Sequence, residues 1–153
     1  MKKQPQLPRA SRGRNALMTT LVAFGLSWGS VQPSWAEPGA LMQLPAPNGC
    51  IAEIGDDVTC TDGIGLNDSR SVTVSSDGKH VYVASFGSDA VAVFVRNKAT
   101  GVLVQLAAPN GCIAEIGDGI TCTDGIGLNG ASDVAVSKDG ENVYVSSIGS
   151  DAV

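Results

Sequence analysis

The sequence predicts an all-β protein built from tandem four-stranded antiparallel units, and three observations carry that expectation. Residues 43–91 repeat at 105–153 without insertion or deletion, a period of 62 residues in which 36 of 49 aligned positions are identical. Self-similarity at a fixed spacing marks a repeat architecture. The apolar residues come in short Val-rich runs that alternate with polar ones, the period of a half-buried strand rather than of a helix. Asp-Gly and Gly-Ser-Asp turn signals separate those runs.

Taken in order, residues 1–36 have the build of a secretory signal peptide. Lys2, Lys3, Arg9, Arg12 and Arg14 form a basic start without acids, and the 13 uncharged residues 16–28 follow. That run is too short for a transmembrane helix, which needs about 20 apolar residues, so an uncleaved anchor is the weaker alternative. Ser34-Trp35-Ala36 supplies small residues at the cleavage point, placing the cut between Ala36 and Glu37. Residues 39–44 match 101–106 in pattern and in distance from the cysteines, so residues 37–44 are expected to be the last strand of a preceding unit. Residues 45–70 form a Gly-rich, Cys-containing insertion loop. Residues 71–106 form one complete unit: a strand at 71–75, the hairpin turn Ser76-Asp77-Gly78-Lys79, a strand at 80–86, a third at 91–95 and a fourth at 102–106. Residues 107–132 repeat the insertion, and 133–153 begin a further unit that reaches its third strand only at Val153.

The segments at 75–85, Ser-Ser-Asp-Gly-Lys-His-Val-Tyr-Val-Ala-Ser, and at 137–147, Ser-Lys-Asp-Gly-Glu-Asn-Val-Tyr-Val-Ser-Ser, resemble the YVTN-type, lactonase-like β-propeller repeat. The resemblance covers nearly all of the chain after the signal segment. It departs where Ser76 and Lys138 stand in place of a usual Pro, and where each unit carries its Cys-containing insertion. It implies four-stranded antiparallel blades around a central channel, closed by pairing the chain termini within one blade. A closed propeller needs at least about four blades, and fewer than two complete ones are present here, which predicts an open fragment. Three explanations stay open, in order of preference: a natural end beyond Val153, assembly from several copies, or a degenerate chain that folds poorly.

Once the signal segment is removed, 5 basic residues remain against 15 acidic ones, a net charge of −10. Arg70, Lys79, Arg96, Lys98 and Lys138 are scattered singly, so the clustered cations that a phosphate backbone or an anionic membrane requires are missing. Nucleic acid and membrane are therefore excluded as expected partners. Export makes disulfides the expected state of the four cysteines, and repeat symmetry selects Cys50 with Cys60 and Cys112 with Cys122 from the three connectivities. A zinc site would want closely spaced thiolate pairs or nearby histidines, and neither occurs.

Asp56, Asp57, Asp62 and Asp68, with Asp118, Asp124 and Asp133 in the second unit, put hard oxygen donors into Gly-rich loops. Calcium is the sharper reading, but the spacing does not follow a calcium-wrapping loop, so solvated turn residues are preferred and no cofactor is expected. His80 is the single histidine, and Asn142 holds its place in the second unit. An exposed strand-end residue is preferred there over a Ser-His-Asp triad. Gly63-Ile64-Gly65 and Gly125-Ile126-Gly127 lack the third glycine of a dinucleotide fingerprint. Near-identical repeats argue against a catalytic centre, which needs unlike groups converging on one point. The preferred function is a periplasmic or secreted binding or structural module of unidentified ligand. The alternatives are a lactonase-like hydrolase, implied by the resemblance when the propeller is complete, and a cell-surface adhesion repeat.

Overall fold

A computed structural model describes residues 41–54, 58–117 and 119–153. The signal segment, its cleavage point at Ala36 and Glu37, and Asp56, Asp57 and Asp118 lie outside the described residues. Those described are all-β, with ten strands and no helix, arranged in three sheets of which none closes into a barrel.

The disulfide-bearing segment opens with β1 (Ile51–Ala52) and β2 (Thr61–Asp62), paired in parallel. The largest sheet starts with β3 (Ser69–Val74), β4 (His80–Ser85) and β5 (Ala90–Arg96), each antiparallel to the one before. These strands form where Val, Ala and Tyr alternate, because successive side chains must leave a sheet on opposite faces. Val81 and Val83 with Ala92 and Phe94 fall on one face, and Tyr82 and Ala84 with Val91 on the other. The β3–β4 turn is set by Gly78, whose φ of 70° is a left-handed conformation that costs glycine least. Asp77 completes the turn, accepting the Lys79 amide at 3.0 Å and the Ser75 hydroxyl at 2.6 Å.

The outer edge of β5 is shared. β6 (Leu103–Gln105) pairs with Phe94–Arg96, and β7 (Cys112–Ala114) pairs further along with Ala90–Ala92. Val93 bridges the gap by donating to Gly111 O at 2.9 Å and accepting from Leu106 N at 3.1 Å. β8 (Thr123–Asp124) then adds to β7 in parallel, as β2 does to β1. β9 (Ala131–Val136) and β10 (Val143–Ser147) form a separate antiparallel sheet that repeats β3 and β4, including the register shift at the Ser147 end.

Within the expected insertion loops, residues 45–70 and 107–132, each segment carries a short parallel strand pair, and the second continues the outer edge of β5. Their strands of two or three residues are too short for a period-2 pattern to appear in sequence. Of residues 37–44, expected as a strand, 37–40 lie outside the described residues; the segment Leu41–Leu44 is irregular, and Leu41 and Met42 are exposed. Its counterpart β6 exists because β5 lies beside it, whereas no described strand stands in that position for residues 41–44.

Candidate functional site

The repeat allows the same side chain to be compared in two surroundings. One face of β3–β5, carrying Tyr82, Ala84 and Val91, is covered by the second unit through Ala131, Val134, Leu128 and Val145. Val134 is 5% exposed there, while Val72, the same residue one period earlier, is 65% exposed. The opposite face of β3–β5 forms a cluster of Val81, Ala92 and Phe94 with Ile51, Leu66, Val83 and Leu103. It opens into a cleft of about 500 Å³ between the first disulfide segment and the sheet, with Leu44, Leu66, Val83, Phe94 and Leu103 among its walls. Glu53 also lines the cleft, and its carboxylate accepts the Leu66 amide. Glu115 repeats that bond to Leu128, so this glutamate holds the disulfide segment against the start of the next strand in both units.

The cleft is the uncovered form of the surface that is packed in the second unit. Cys50, Ala52, Leu66, Ser69 and Val83 line it, and their counterparts one period later are Cys112, Ala114, Leu128, Ala131 and Val145. Each of those five belongs to a packed cluster, alongside Ala90 or with Tyr82, Ala84 and Val91.

Polar contacts also cross the seam between units. The Ser71 hydroxyl donates to Asp133 Oδ1 at 2.5 Å, joining identical repeat positions on β3 and β9. Together with the Val134 amide at 2.9 Å, it holds the Asp133 carboxyl below its ordinary range. Asp89 accepts the Gly130 amide at 2.6 Å. The Gln105 side chain pairs with the Ile64 backbone on both sides, at 2.9 and 2.8 Å, and also donates to Gly111 O at 2.9 Å. Ile64 is 37% exposed under this clamp, against 95% for Ile126 one period later.

Both disulfides form as the repeat symmetry predicts, Cys50–Cys60 and Cys112–Cys122. The second is buried beside Ala90 and Ala114, and Gly65 packs against it. Of the candidate calcium donors, Asp68 pairs with Arg70 at 3.0 Å, Asp124 accepts the Gly117 amide at 3.1 Å, and Asp133 lies in the seam. Asp62 closes β2. Among the described residues no three His, Cys, Asp or Glu side chains gather as a metal site. His80 opens β4 with its ring 6.4 Å from Tyr82. It is linked to Ser75 through its backbone amide, at 2.9 Å, while the Ser75 hydroxyl is donated to Asp77. This turn therefore contains Ser, Asp and His without the imidazole-to-hydroxyl bond on which a triad depends.

Sequence reasoning missed Asp89, Gln105 and the pairing of Ser71 with Asp133. Their partners lie 41 or 62 residues away and meet them only after the units pack. The change from Ser71 to Asp133 between otherwise similar repeats is the one signal that was available. No family model matches the chain, and no curated protein matches it.

Proposed function

We propose that the chain is an exported β-propeller-type repeat of the YVTN, lactonase-like kind, acting as a binding or structural module. The observation that supports this reading is the seam at Ser71 and Asp133, where identical repeat positions on neighbouring sheets meet. Blades ranged around a common axis bring the same position of each inner strand next to its neighbour. The two disulfides are compatible with an oxidising extracellular or periplasmic location. The walls of the cleft are mostly apolar, and of the polar side chains among them the Glu53 carboxylate accepts the Leu66 amide and the Ser69 hydroxyl donates to Leu66 O at 2.8 Å.

The test is an assay of the oxidised protein against sugar and acyl lactones, run beside a thermal-shift screen of glycans, lactones and divalent cations. A ligand-dependent rise in melting temperature without lactone turnover is the expected result. Turnover above background that survives repurification would overturn the module in favour of a hydrolase.

A further inference from the structure

We propose that closure of the Cys112–Cys122 bridge gates the docking of the second unit on the first, so that the units stay apart while the cysteines are thiols and pack once they are oxidised. The device lies in the Cys-containing insertion, where the chain departs from the propeller resemblance, and at a seam both of whose sides are described.

The segment that carries the bridge reaches back over the first unit. β7 pairs with Ala90–Ala92 along the outer edge of β5, and β8 adds to β7. Toward the first unit the segment buries Cys112, Ala114 and Cys122, which cluster with Ala90. Its larger apolar side chains do not contribute there. Ile116 and Ile120 are exposed, as are Ile54 and Val58 at the same positions ahead of a complete unit. Ile113 is exposed too, and its counterpart Ile51 packs on the sheet that follows it. Strands of three and two residues with so little apolar burial do not offset the conformational entropy lost on ordering them. The cross-link therefore holds them in place.

The same segment ties the two units together. Glu115, next after β7, donates its amide to Asp89 O at 2.9 Å and accepts the Leu128 amide with its carboxylate. Asp89 in turn accepts the Gly130 amide at 2.6 Å, and Leu128 packs against the cluster of Ala84, Val91, Ala131 and Val134. Gly65 fills the space beside the bridge, since a Cβ added there would lie 3.4 Å from the Cys112 Cβ and 3.6 Å from the Ala90 Cβ. Two separate thiols need room that the docked units do not leave. Oxidation proceeds by exchange with a disulfide, such as oxidised glutathione or a thiol–disulfide oxidoreductase. One cysteine thiolate attacks a donor sulfur and expels the first donor thiolate; the other cysteine thiolate attacks the mixed disulfide, closes the Cys112–Cys122 bond and expels the second. The protein gives up two electrons and two protons, and the donor leaves as two thiols. Cys112 is fully enclosed once the units dock, so exchange comes first and docking then shields the bridge. An exported chain thereby keeps its units apart until it reaches an oxidising compartment.

Hydrogen exchange with and without dithiothreitol tests the proposal in the chain carrying Cys50→Ala and Cys60→Ala, where Cys112–Cys122 is the remaining redox group. Reduction is expected to speed exchange of the Glu115, Leu128 and Gly130 amides at least about tenfold, while Ser75 and Arg96, bonded within the first sheet, change less than about twofold. Oxidised glutathione should restore the slow rates. Seam amides that stay equally slow after reduction, or Ser75 and Arg96 accelerating along with them, would overturn the gate. A second measurement keeps all four cysteines. Coupling between two equilibria is reciprocal, so Val134→Asp, which opens the seam, should let Cys112–Cys122 be half reduced at a [GSH]²/[GSSG] at least about tenfold lower. Cys50–Cys60 should keep its ratio. An unshifted ratio at Cys112–Cys122, or a shift shared by Cys50–Cys60, would also overturn the gate.

Discussion

At the scale of single residues, Val72 and Val134 separate the contribution of packing from that of sequence, since the same residue in the same repeat position is 65% exposed in one unit and 5% in the other. Burial of a valine side chain is worth about 1.5–3 kcal/mol. Val134→Ala should therefore cost about 2 kcal/mol in urea denaturation, and Val72→Ala less than about 0.5 kcal/mol. The Asp77 carboxyl illustrates a different local effect. Hydrogen bonds from the Ser75 hydroxyl and then from the Lys79 amide pull its pKa from 3.8 to about 2. The Ser137 and Ser71 hydroxyls act in the same direction on Asp139 and Asp133. A folded-state pKa below the unfolded value makes a contribution to stability that is complete above the unfolded pKa and lost as the pH falls through the folded one. Acid denaturation curves should thus lose stability between about pH 4 and about pH 2, and Asp77→Asn should flatten that loss while leaving the neutral-pH slope unchanged. An unaltered acid limb in the variant would contradict the turn geometry.

At the scale of elements, the disulfides form a second matched pair, because both close loops of the same sequence separation, 10 residues. Loop-closure entropy is then equal for the two, somewhat under about 3 kcal/mol each. Any difference reports packing. Cys112→Ala with Cys122→Ala should destabilise the protein more than Cys50→Ala with Cys60→Ala, because only the second bridge lies in a buried cluster with Ala90. Equal losses would mean that Cys112 is not packed as described. Gln105→Ala removes both bonds to the Ile64 backbone and should cost about 1–2 kcal/mol, with faster hydrogen exchange at the Ile64 amide as its local signature. How legible each element was in the sequence follows from its length. The strands around Val72, Val81 and Val91 were readable because five or more alternating residues and an Asp-Gly turn frame them. β7 and β8 were not, since three and two residues show no period and their pairing partner, β5, is settled by tertiary packing. The disulfide pairing was readable from the repeat alone. The cleft was not, because it is defined by the burial of its counterparts in the next unit, which no local pattern records.

At the scale of the molecule, the central claim is that neighbouring units dock through one seam, with β9 set against the Tyr82, Ala84 and Val91 face of the first sheet. The open cleft, whose walls repeat the surface that is packed in the second unit, follows from it. Methyl-to-methyl nuclear Overhauser contacts in selectively labelled protein at low concentration measure that seam directly. Cross-peaks from Val134 to the Ala84 and Val91 methyls, with none from Val72 to any counterpart group, are the result expected. Val134 and Val72 resonances with the same solvent-exposed environment, and no cross-peak between the units, would contradict it.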